Sequence, residues 1–438
     1  MIPFPHFVFQ YHLHALYTNP LFWFILQELE RTHWQQNRQW GDVVASLLTP
    51  NVSRLTSPVA PQFRNQGRAR PPHGGRQPTI QRALAARIIP ATANQQPISW
   101  QQLPGELGTA THVIYQGPLS GPDLLLHYGF DGWQGPITEV RLERGKFGFI
   151  TREPIVVAGH ITLDCAVTDG QLWDNNNDID YRLWIGFDPL DSHLHASGKG
   201  RGDLGLGSLQ VAMASAGMRQ GIVSWVNNEA LDRIRWTGTG LFPLVWVRPG
   251  ETPQKEVRTR LAAGHVGLKL HPTVDDYRAD DTALDPYLEI AAEAGCPVAC
   301  HSAPGDADPD HIRRLAERFP SVPIIFYHTY LGPAEGRHRA AQHVREQPNL
   351  YLETSWCGWH TVVELVEAAG VDRVLFGSDA SVDGAHHYCR HPPNVEGHET
   401  YNQGLVPLVR ALGPKAARSV LGDNARRLFG LERTSRNL

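Results

Sequence analysis

The segment Pro189-Leu190-Asp191-Ser192-His193-Leu194-His195 opens a long alternation of strand and helix patterns, and it decides how the fold is interpreted. Side chains at positions i and i+2 of a strand point to the same face, so both imidazoles of this His-x-His pair can reach one point. That spacing is typical of metal ligands. Three later strand ends in the same alternation add further metal-compatible side chains, namely His301, His328 and Asp379.

Eight apolar, strand-like runs follow from Pro189, with amphipathic helical stretches between them. The predicted strands are Leu190–His195, Arg219–Val226, Phe242–Val247, Val266–His271, Val298–His301, Pro323–His328, Leu350–Thr354 and Val374–Asp379. The helical stretches include Leu284–Ala294, Asp310–Arg318, His360–Ala369 and Gln403–Leu412. Eight such units over about 245 residues predict an α/β fold with a parallel sheet closed into a (β/α)8 TIM barrel.

In a barrel of this kind, chemistry gathers at the carboxyl ends of the strands. A lone histidine at a strand end is more often a core or surface residue than a ligand. Here metal-compatible side chains from several strands converge on one mouth, which favours a metal site. Imidazoles with a carboxylate suit a borderline divalent ion such as zinc, and the ion lowers the pKa of a bound water. The converging residues are His193, His195, His271, His301, His328 and Asp379.

Length and charge limit the classes of function. A chain of 438 residues is too long for one ordinary core and predicts at least two domains. A net charge of -4 gives no reason to expect binding to nucleic acid or to a membrane surface. Five scattered cysteines without a Cys-x-x-Cys spacing, and an apolar run at Leu21–Leu26 that is too short to span a bilayer, lead us to expect a cytoplasmic protein.

The first part of the chain divides by composition into three segments. Residues 1–55 are predicted to be a short helical segment, and residues 56–107 are rich in Pro, Gly, Gln and Arg, which predicts a linker or a partly disordered arm. A second His-x-His pair, His12 and His14, is not followed by a strand and helix repeat, and packing is the preferred role. Residues 108–186 contain short β-rich runs separated by turns, which predict a small all-β sandwich.

Two segments of this predicted sandwich carry a resemblance. The stretches His127–Trp133 and Trp173–Tyr181 resemble the starch-binding type of carbohydrate-binding module. The resemblance implies that aromatic rings stack on glucose units while an imidazole bonds to hydroxyls, with His127, Trp133 and Trp173 as the platform. A tryptophan face with one polar edge suits a pyranose ring. Two alternatives stay open, in which the tryptophans belong to the sandwich core or the module survives as a spacer.

The remainder, residues 187–438, resembles a second family. The matching segments are Asp191–His195, Gly267–Pro272, Cys300–Ser302, Tyr327–Thr329, Phe376–Asp379 and Gly422–Phe429. In this order they resemble the amidohydrolase superfamily, and most closely its amidohydrolase-related, or type 2, branch. That branch includes hydrolases, decarboxylases and hydratases of cyclic or carboxylated small molecules, so the resemblance indicates the superfamily and leaves the substrate open.

The resemblance implies roles for single residues. His193, His195, His301 and Asp379 would be ligands or near-ligands of one divalent ion, zinc or alternatively manganese. His328 would orient or protonate the substrate, and Asp379 would also act as the general base. Lys269 shares a strand face with His271 and has two candidate roles: a carboxylated bridge between two metals, or an ammonium group paired with a substrate carboxylate or with a neighbouring acid. A site with one metal ion is the preferred interpretation.

Other positions are weaker candidates for contacts with substrate. Arg248 ends the predicted third strand and could bind an anionic group, and His271 ends the fourth. His386 and Arg390 lie in a polar loop after the last strand, where they could read a carboxylate or be solvated surface. Glu353 and Thr354 end strand seven, and only one can face the barrel interior. Cys300 should turn away from the metal and pack.

Three functions compete at this stage. The first is a metal-dependent hydrolase that uses metal-activated water on a small substrate, held near α-glucan or a related polysaccharide by the attached module. The second is a metal-dependent nonoxidative decarboxylase, in which Asp379 would donate a proton to carbon and CO2 would be released. The third is a glucan-binding protein with a silent barrel. We expect a small-molecule substrate and no nucleic-acid or membrane partner, and we count a homodimer among the partners to test.

Overall fold

The computed structural model describes residues 98–101, 110–175, 180–196, 206, 209–210, 213, 216–380 and 405–431. The predicted N-terminal helix, most of the predicted linker, and His386 and Arg390 lie outside these residues. Contacts divide the chain into two compact units, residues 1–74 with Pro272–Asp276 and residues Gly75–His271 with Tyr277–Leu438. In the first unit the described residues form the short helix Pro272–Asp275. All elements discussed below belong to the second unit.

Residues before Phe187 form an antiparallel β domain. Its nine described strands are β1 (Ile98–Gln101), β2 (Ala110–Tyr115), β3 (Leu125–Phe130), β4 (Gln134–Gly145), β5 (Gly148–Thr151), β6 (Ile155–Val156), β7 (Thr162–Thr168), β8 (Trp173–Asp174) and β9 (Tyr181–Trp184). They run in the order β1-β2-β5-β4-β3-β7-β8, with β6 paired to β2 and β9 paired to β7. Alternate residues of these strands form one apolar core, which includes Leu124, Leu126 and Val167. The predicted all-β domain is therefore present in this region.

The first described strand of the β domain is β1 (Ile98–Gln101). Ile98–Gln101 pairs antiparallel with β2, so the sheet begins inside the segment 56–107 that composition assigns to a linker. The local signal is the alternation of Ile98 and Trp100 directly after Pro97, because alternating β-branched and aromatic residues favour a strand. The overall Pro, Gly and Gln content of the segment hides this short run.

Residues from Leu190 onward form a parallel barrel. The described segments are β10 (Leu190–His195), β11 (Gln220–Ser224), β12 (Leu241–Pro243), β13 (Val245–Trp246), β14 (Leu268–Leu270), β15 (Val298–His301), β16 (Ile324–Tyr327), β17 (Leu350–Glu353) and β18 (Val374–Leu375). In the described chain β12 and β13 are successive parts of one strand interrupted at Leu244, which gives eight parallel strands. A parallel bridge between Leu194 and Ala380 joins the last strand region to the first, and the barrel is closed.

Helices cover the outside of the barrel. Among the described residues they are α1 (Asn228–Asp232), α2 (Gln254–Ala262), α4 (Asp285–Ala294), α5 (Pro309–Arg318), α6 (Ala334–Glu346), α7 (Trp359–Ala369), α8 (Leu405–Arg418, interrupted at Gly413) and α9 (Asn424–Phe429). The label α3 is kept for Pro272–Asp275, which belongs to the other unit and is described by itself. None of the described helices is long and apolar enough to cross a membrane.

Strand alternation sorts side chains between the barrel interior and the helices. On β15, Val298 and Cys300 lie in the apolar cluster shared with the helices, whereas Ala299 lies in the interior cluster. His301 follows Ala299 on the interior side at the carboxyl end of the strand. Interior side chains therefore fill the barrel below, and the polar residues collect above them at the mouth.

The β domain and the barrel are joined by a charged contact and an apolar one. Arg410 of α8 donates to the carboxylate of Asp131 at 2.8 Å. That carboxylate also accepts from the backbone N–H groups of Ile161 and Thr162 at 2.8 and 3.1 Å. Trp184 of β9 lies in the apolar cluster of the barrel and donates to the carbonyl of Ala216 at 2.9 Å.

Candidate metal centre

The seam that closes the barrel brings the first and last strands together. The backbone N–H of Ser192 donates to the carbonyl of Phe376 at 3.0 Å, and that of Asp379 donates to the carbonyl of His193 at 2.8 Å. A shift of register on β10 between Asp191 and Leu194 accompanies this arrangement. His193 and His195 therefore share one end of the barrel with Asp379, which is far from them in sequence.

Three potential ligand atoms meet at this seam. Nε2 of His193 and Nε2 of His195 are 3.1 Å apart. Oδ1 of Asp379 lies 3.2 Å from Nε2 of His193 and 3.0 Å from Nε2 of His195. These side chains are buried, so the three atoms are directed at one another in a nearly dry environment. Two imidazoles with a carboxylate form a donor set that suits a borderline divalent ion.

Burial and mutual charge shift the pKa values of these groups. Burial is the largest cause that holds the pKa of His193 well below its ordinary value, which favours the neutral imidazole that a metal needs. Burial alone would raise the pKa of Asp379, but His193, His328 and His195 outweigh it and hold that pKa well below its usual range. Asp379 is therefore an anion over the physiological range.

The carboxyl group of Glu353, at the end of β17, lies behind His193 and is fully buried. Its Oε2 is 3.0 Å from Nδ1 of His193 and accepts from the backbone N–H of His328 at 2.9 Å. Ser355 donates to the same oxygen through its hydroxyl at 2.7 Å, and its backbone N–H donates to Oε1. Burial raises the pKa of Glu353 to about 8, and these donors oppose that shift.

His328 follows β16 and contacts the same serine. Its Nδ1 lies 2.8 Å from Oγ of Ser355, and 4.0 Å from Oδ2 of Asp379. Burial is the main cause that lowers the pKa of His328 to about 4, although the charge of Asp379 opposes this shift. The imidazole is consequently neutral at physiological pH.

Trp356 holds the second oxygen of Asp379. Its indole N–H donates to Oδ2 at 2.8 Å, whereas Oδ1 faces the two histidines of β10. The carboxylate is therefore oriented with one oxygen toward the candidate metal centre and one toward the indole. Sequence patterns did not single out Trp356, because it lies beyond the strand end, where alternation no longer gives the direction of a side chain.

Left-handed backbone concentrates around this site. His328, Thr329, Trp356 and Asp379 have φ values of 66°, 55°, 63° and 60°. Non-glycine residues adopt this conformation at a cost of order 1 kcal/mol or more, and such residues cluster at functional sites. All four follow a strand end, and the turn in the backbone brings the next side chains over the mouth.

His301 and His271 form a stacked pair at the mouth. Their ring centroids are 3.9 Å apart with nearly parallel planes, and Trp246 stacks on the other side of His271 at 5.5 Å. The rings of His301 and His328 are 4.9 Å apart. Nδ1 of His301 is buried and has no hydrogen-bond partner among the described residues. His301 is in neither group of close ligand atoms within that part of the chain.

Two cationic side chains were predicted to contribute to the site. The amine of Lys269 is buried and lies 4.0 Å from the centroid of the Tyr327 ring, a cation–π distance. Arg248 donates to the carbonyl of Val226 at 2.9 Å. These positions, predicted as a bridge and as a substrate contact respectively, remain predictions.

The described residues contain two triads whose ligand atoms lie within 4.8 Å of one another. The first is His193, His195 and Asp379, and the second is His193, His328 and Glu353. In the second triad, Glu353 and His328 are already hydrogen-bonded to Ser355. The first triad therefore fits a divalent ion better.

On the β domain, the residues of the predicted sugar platform lie on one side of β3. The rings of His127 and Trp173 are 4.6 Å apart in an edge-to-face arrangement. Trp133 packs over Gly129, because a Cβ placed there would lie 2.8 Å from its ring. Residues 127 and 129 share a strand face, opposite the core residues Leu124 and Leu126. All three platform side chains are half-buried. We refer to them as the outer aromatic face.

Solved structures that show similarity to this chain include the following three proteins. The probable 2-pyrone-4,6-dicarboxylic acid hydrolase of Acinetobacter baumannii is 15% identical, with 56% of this chain and 100% of that chain covered and a TM-score of 0.42. The 5-carboxyvanillate decarboxylase of Novosphingobium aromaticivorans is 13% identical, covers 56% and 97%, and has a TM-score of 0.41. An amidohydrolase from Bifidobacterium longum subsp. infantis is 17% identical, covers 56% and 100%, and has a TM-score of 0.41.

Curated proteins match over shorter stretches. The dihydroorotase of Pseudomonas fluorescens strain Pf0-1 is 35% identical over 100 residues, which is 19% of this chain and 29% of that protein. The dihydroorotase of Pseudomonas aeruginosa strain LESB58 is 34% identical over 114 residues, or 22% and 31%. This chain thus spans 29% to 31% of the length of these relatives.

The model of the family described as amidohydrolase matches residues 191–431, more than half of the chain. The chain therefore belongs to the amidohydrolase family, as its motif order predicts.

Proposed function

We propose that this chain is a metal-dependent hydrolase of a small cyclic or carboxylated molecule. The family consists of metal-dependent hydrolases and decarboxylases. The observation that carries the proposal is the meeting of Nε2 of His193, Nε2 of His195 and Oδ1 of Asp379 within 3.2 Å of one another. Such a donor set suits a single zinc ion, with manganese as the alternative.

His193, His195 and Asp379 would hold the ion, with His301 as a further ligand, because its buried Nδ1 has no hydrogen-bond partner in the described chain. When bound, a divalent ion in this position would supply a Lewis acid that polarises a carbonyl and lowers the pKa of water. We propose one ion, with Lys269 kept as an ammonium group by its contact with the ring of Tyr327.

Protein groups would move the protons. Asp379 is the proposed general base, since its anionic form is favoured and its Oδ2 is held by the indole of Trp356. His328, neutral with a pKa near 4, would orient the substrate and exchange a proton with it. Lys269 and Arg248 would bind a substrate carboxylate, and the stacked rings of His271 and Trp246 would bound a flat ring.

The first test is metal content, measured by elemental mass spectrometry on purified protein. About one equivalent of zinc or manganese is expected in the native chain, with loss of it in the His193→Ala, His195→Ala double variant. The matched control is His338→Ala with His360→Ala, which removes two exposed helical histidines instead. No bound metal, even after reconstitution, would overturn the proposal, whereas two equivalents would promote Lys269 to a bridging ligand.

The second test identifies the reaction. Loaded protein is screened against lactones, cyclic amides and esters, and against aromatic carboxylic acids, with product analysis in each case. Ring opening or release of an acid and an alcohol or amine supports hydrolysis. Released CO2 supports the alternative, a nonoxidative decarboxylase, in which Asp379 would deliver a proton to carbon.

We also propose that the outer aromatic face binds α-glucan and holds the barrel near a polysaccharide. The proposal is supported by the contact between His127 and Trp173 and by the half-buried position of Trp133 on the same side of β3. Burial is the main cause that lowers the pKa of His127, so this imidazole is available as a neutral hydrogen-bonding group for hydroxyls. Flat rings beside a hydrogen-bonding group suit a glucose unit.

Retention on insoluble starch tests this second proposal. Trp173→Ala is expected to weaken retention while turnover of a small soluble substrate stays unchanged. Phe147→Ala is the control, because Phe147 is an exposed aromatic residue (63%) outside the outer aromatic face. Native protein that does not bind starch would eliminate the glucan role, and loss of turnover in Trp173→Ala would instead show that the β domain supports the active site.

A further inference from the structure

The side chain of Glu353 contacts groups from three parts of the barrel mouth but belongs to neither the ligand set nor the proposed proton transfers. It reaches Nδ1 of His193 at 3.0 Å, the backbone of His328 at 2.9 Å and the hydroxyl of Ser355 at 2.7 Å. A fully buried carboxyl group is costly to retain unless its hydrogen bonds are satisfied. We propose that Glu353 is a positioning residue that fixes the tautomers of His193 and His328.

The backbone N–H groups around Glu353 determine which atoms donate and which accept. The N–H groups of His328 and Ser355 can only donate, and they donate to Oε2 and Oε1 of Glu353. In the ionised form of Glu353, which these donors favour, both carboxyl oxygens can only accept. A nitrogen that carries a proton is the partner that such an oxygen favours, so Nδ1 of His193, 3.0 Å from Oε2, carries the proton.

The fixed proton decides what His193 offers on its other side. A neutral imidazole with its proton on Nδ1 has an unprotonated Nε2, whose lone pair can bind a metal. Nε2 is the atom that faces His195 and Asp379. The carboxylate behind the ring thus prepares the ligand atom in front of it, and this support typically contributes a large factor to metal affinity.

The hydroxyl of Ser355 links Glu353 to His328 and so determines the tautomer of His328 as well. The hydroxyl of Ser355 has one proton, which it donates to Oε2 of Glu353 at 2.7 Å. Its oxygen can then only accept from Nδ1 of His328, 2.8 Å away. His328 therefore also carries its proton on Nδ1 and leaves Nε2 unprotonated. One buried carboxyl group sets the proton positions of two histidines from two different strands.

The alternative role for Glu353 is that of a direct ligand with His193 and His328. In that case, Nδ1 of His193, a carboxyl oxygen of Glu353 and a nitrogen of His328 would have to offer lone pairs to the ion. The contacts of Ser355 with both Glu353 and His328 occupy those positions with hydrogen bonds instead.

The decisive variant is Glu353→Gln, which places an amide NH2 where donors already converge. This inference rests on the proposed metal-dependent function, and its first readout is the dissociation constant for zinc, measured by competition with a chromophoric chelator. We expect affinity to fall about 10- to 100-fold, as for other supporting groups of ligand histidines. Glu364→Gln, an exposed glutamate on α7, is the matched control and should leave affinity unchanged.

The variant Ser355→Ala separates the effect of Glu353 on His193 from its effect on His328. It removes the link to His328 and keeps the contact between Glu353 and His193, so zinc affinity should stay within about threefold while kcat falls and KM is retained. It also keeps the test decisive if Glu353→Gln does not fold. A large loss of zinc affinity in Ser355→Ala, or unchanged affinity in folded Glu353→Gln, would contradict the proposal.

A readout that needs no metal distinguishes this inference from the proposed function. Long-range ¹H–¹⁵N spectra of protein labelled at histidine nitrogens report tautomers directly, and a His193→Asn sample assigns the His193 signals. The Nδ1–H form is expected in the native chain and a mixture in Glu353→Gln. A native chain that binds no zinc yet shows the Nδ1–H form would defeat the proposed function alone, whereas an Nε2–H form would defeat the inference.

Discussion

The barrel mouth and the outer aromatic face of the β domain both present imidazole and indole side chains, but they hold them differently. At the mouth, the carboxylate of Asp379 is fixed on both oxygens, and His193 is held on both nitrogens. On the outer face, His127 contacts Trp173 through ring packing and Glu139 through one contact of 3.3 Å. The mouth is a polar network inside the protein, and the outer face is a half-buried surface.

The difference indicates what each region can do. Groups that are fixed on every polar atom can act at one position with defined protonation, which chemistry requires. Half-buried rings on one side of a strand could accept a repeating ligand in several registers, which the proposed adhesion to a polymer would require. A mutation that loosens a hydrogen bond should therefore affect the mouth strongly and the outer face weakly.

The largest effect is expected from Asp379→Asn. Removal of the charge takes away one proposed ligand and the proposed base, and turnover should fall by about 10²- to 10⁴-fold. Metal content should fall with it, while retention on starch stays unchanged. Asp372→Asn, an exposed aspartate seven positions earlier, is the control. Equal activity in Asp379→Asn and native protein would end the assignment of Asp379.

A smaller effect at the same site is expected from Trp356→Phe. The change keeps an aromatic ring but deletes the N–H that orients Oδ2 of Asp379. A hydrogen bond to a charged group contributes about 1.5 to 3 kcal/mol, which corresponds to roughly a tenfold to hundredfold loss of kcat/KM. Trp359→Phe, on α7, should change little. A loss of metal content in Trp356→Phe would mean that the indole supports the ligand set rather than the base.

The contact of Asp131 in the β domain with Arg410 of α8 predicts a pH-dependent stability. Burial alone would raise the pKa of Asp131, but hydrogen bonds from Ile161 and Thr162, His160 and the charge of Arg410 hold it below its ordinary value. A depressed pKa adds stability above the unfolded pKa, and this stability is lost as pH falls through the folded pKa. Asp131→Asn should therefore lower stability by about 1 to 3 kcal/mol at pH 7.

The difference between native protein and Asp131→Asn should shrink as the pH is lowered below about 4, where the unfolded aspartate is protonated. Urea unfolding followed at pH 7, 4 and 3 measures it. Asp123→Asn provides the control, since that carboxylate is 71% exposed. A constant difference across this range would show that Asp131 acts through shape and not through charge.

The smallest difference is expected in the reactivity of buried thiols, which should be low both in the core of the β domain and in the core of the barrel. Cys165 in the β domain and Cys300 in the barrel are both buried, and burial raises the pKa of Cys300 to about 12. In a Cys389→Ser background, which removes the thiol outside the described residues, Ellman's reagent should react slowly at pH 8 until the protein unfolds. A thiol that reacts rapidly in the folded protein would contradict the burial of these residues.

Much of the barrel could be predicted because apolar alternation and strand length agree with the fold. The predicted strand Val298–His301 matches β15, and the predicted helix Leu284–Ala294 differs from α4 by one residue. Strand ends were less predictable, as Val374–Leu375 is four residues shorter than the predicted strand. The reason is local, because the left-handed residue Asp379 and the bonds of the seam end the regular ladder.

The ligand candidates could be predicted from strand ends, but their supports could not. Glu353 and Thr354 were equivalent by pattern, and only the contact of Glu353 with His193 separates them. Ser355 and Trp356 follow the strand end, and Trp356 has a left-handed backbone, so their directions depend on tertiary structure. Candidate ligands at strand ends can be recognised in a sequence, whereas the side chains that orient these ligands are determined by tertiary packing.

The closing seam of the barrel has a consequence for biosynthesis. Because His193 and Asp379 belong to the first and last strands, a chain emerging from the ribosome carries two proposed ligands long before the third exists. The pairing of Leu194 with Ala380 is the most distant contact in the barrel ladder and closes the largest loop. Completion of the proposed ion-binding triad would thus coincide with completion of the barrel, so that only a finished domain could be loaded.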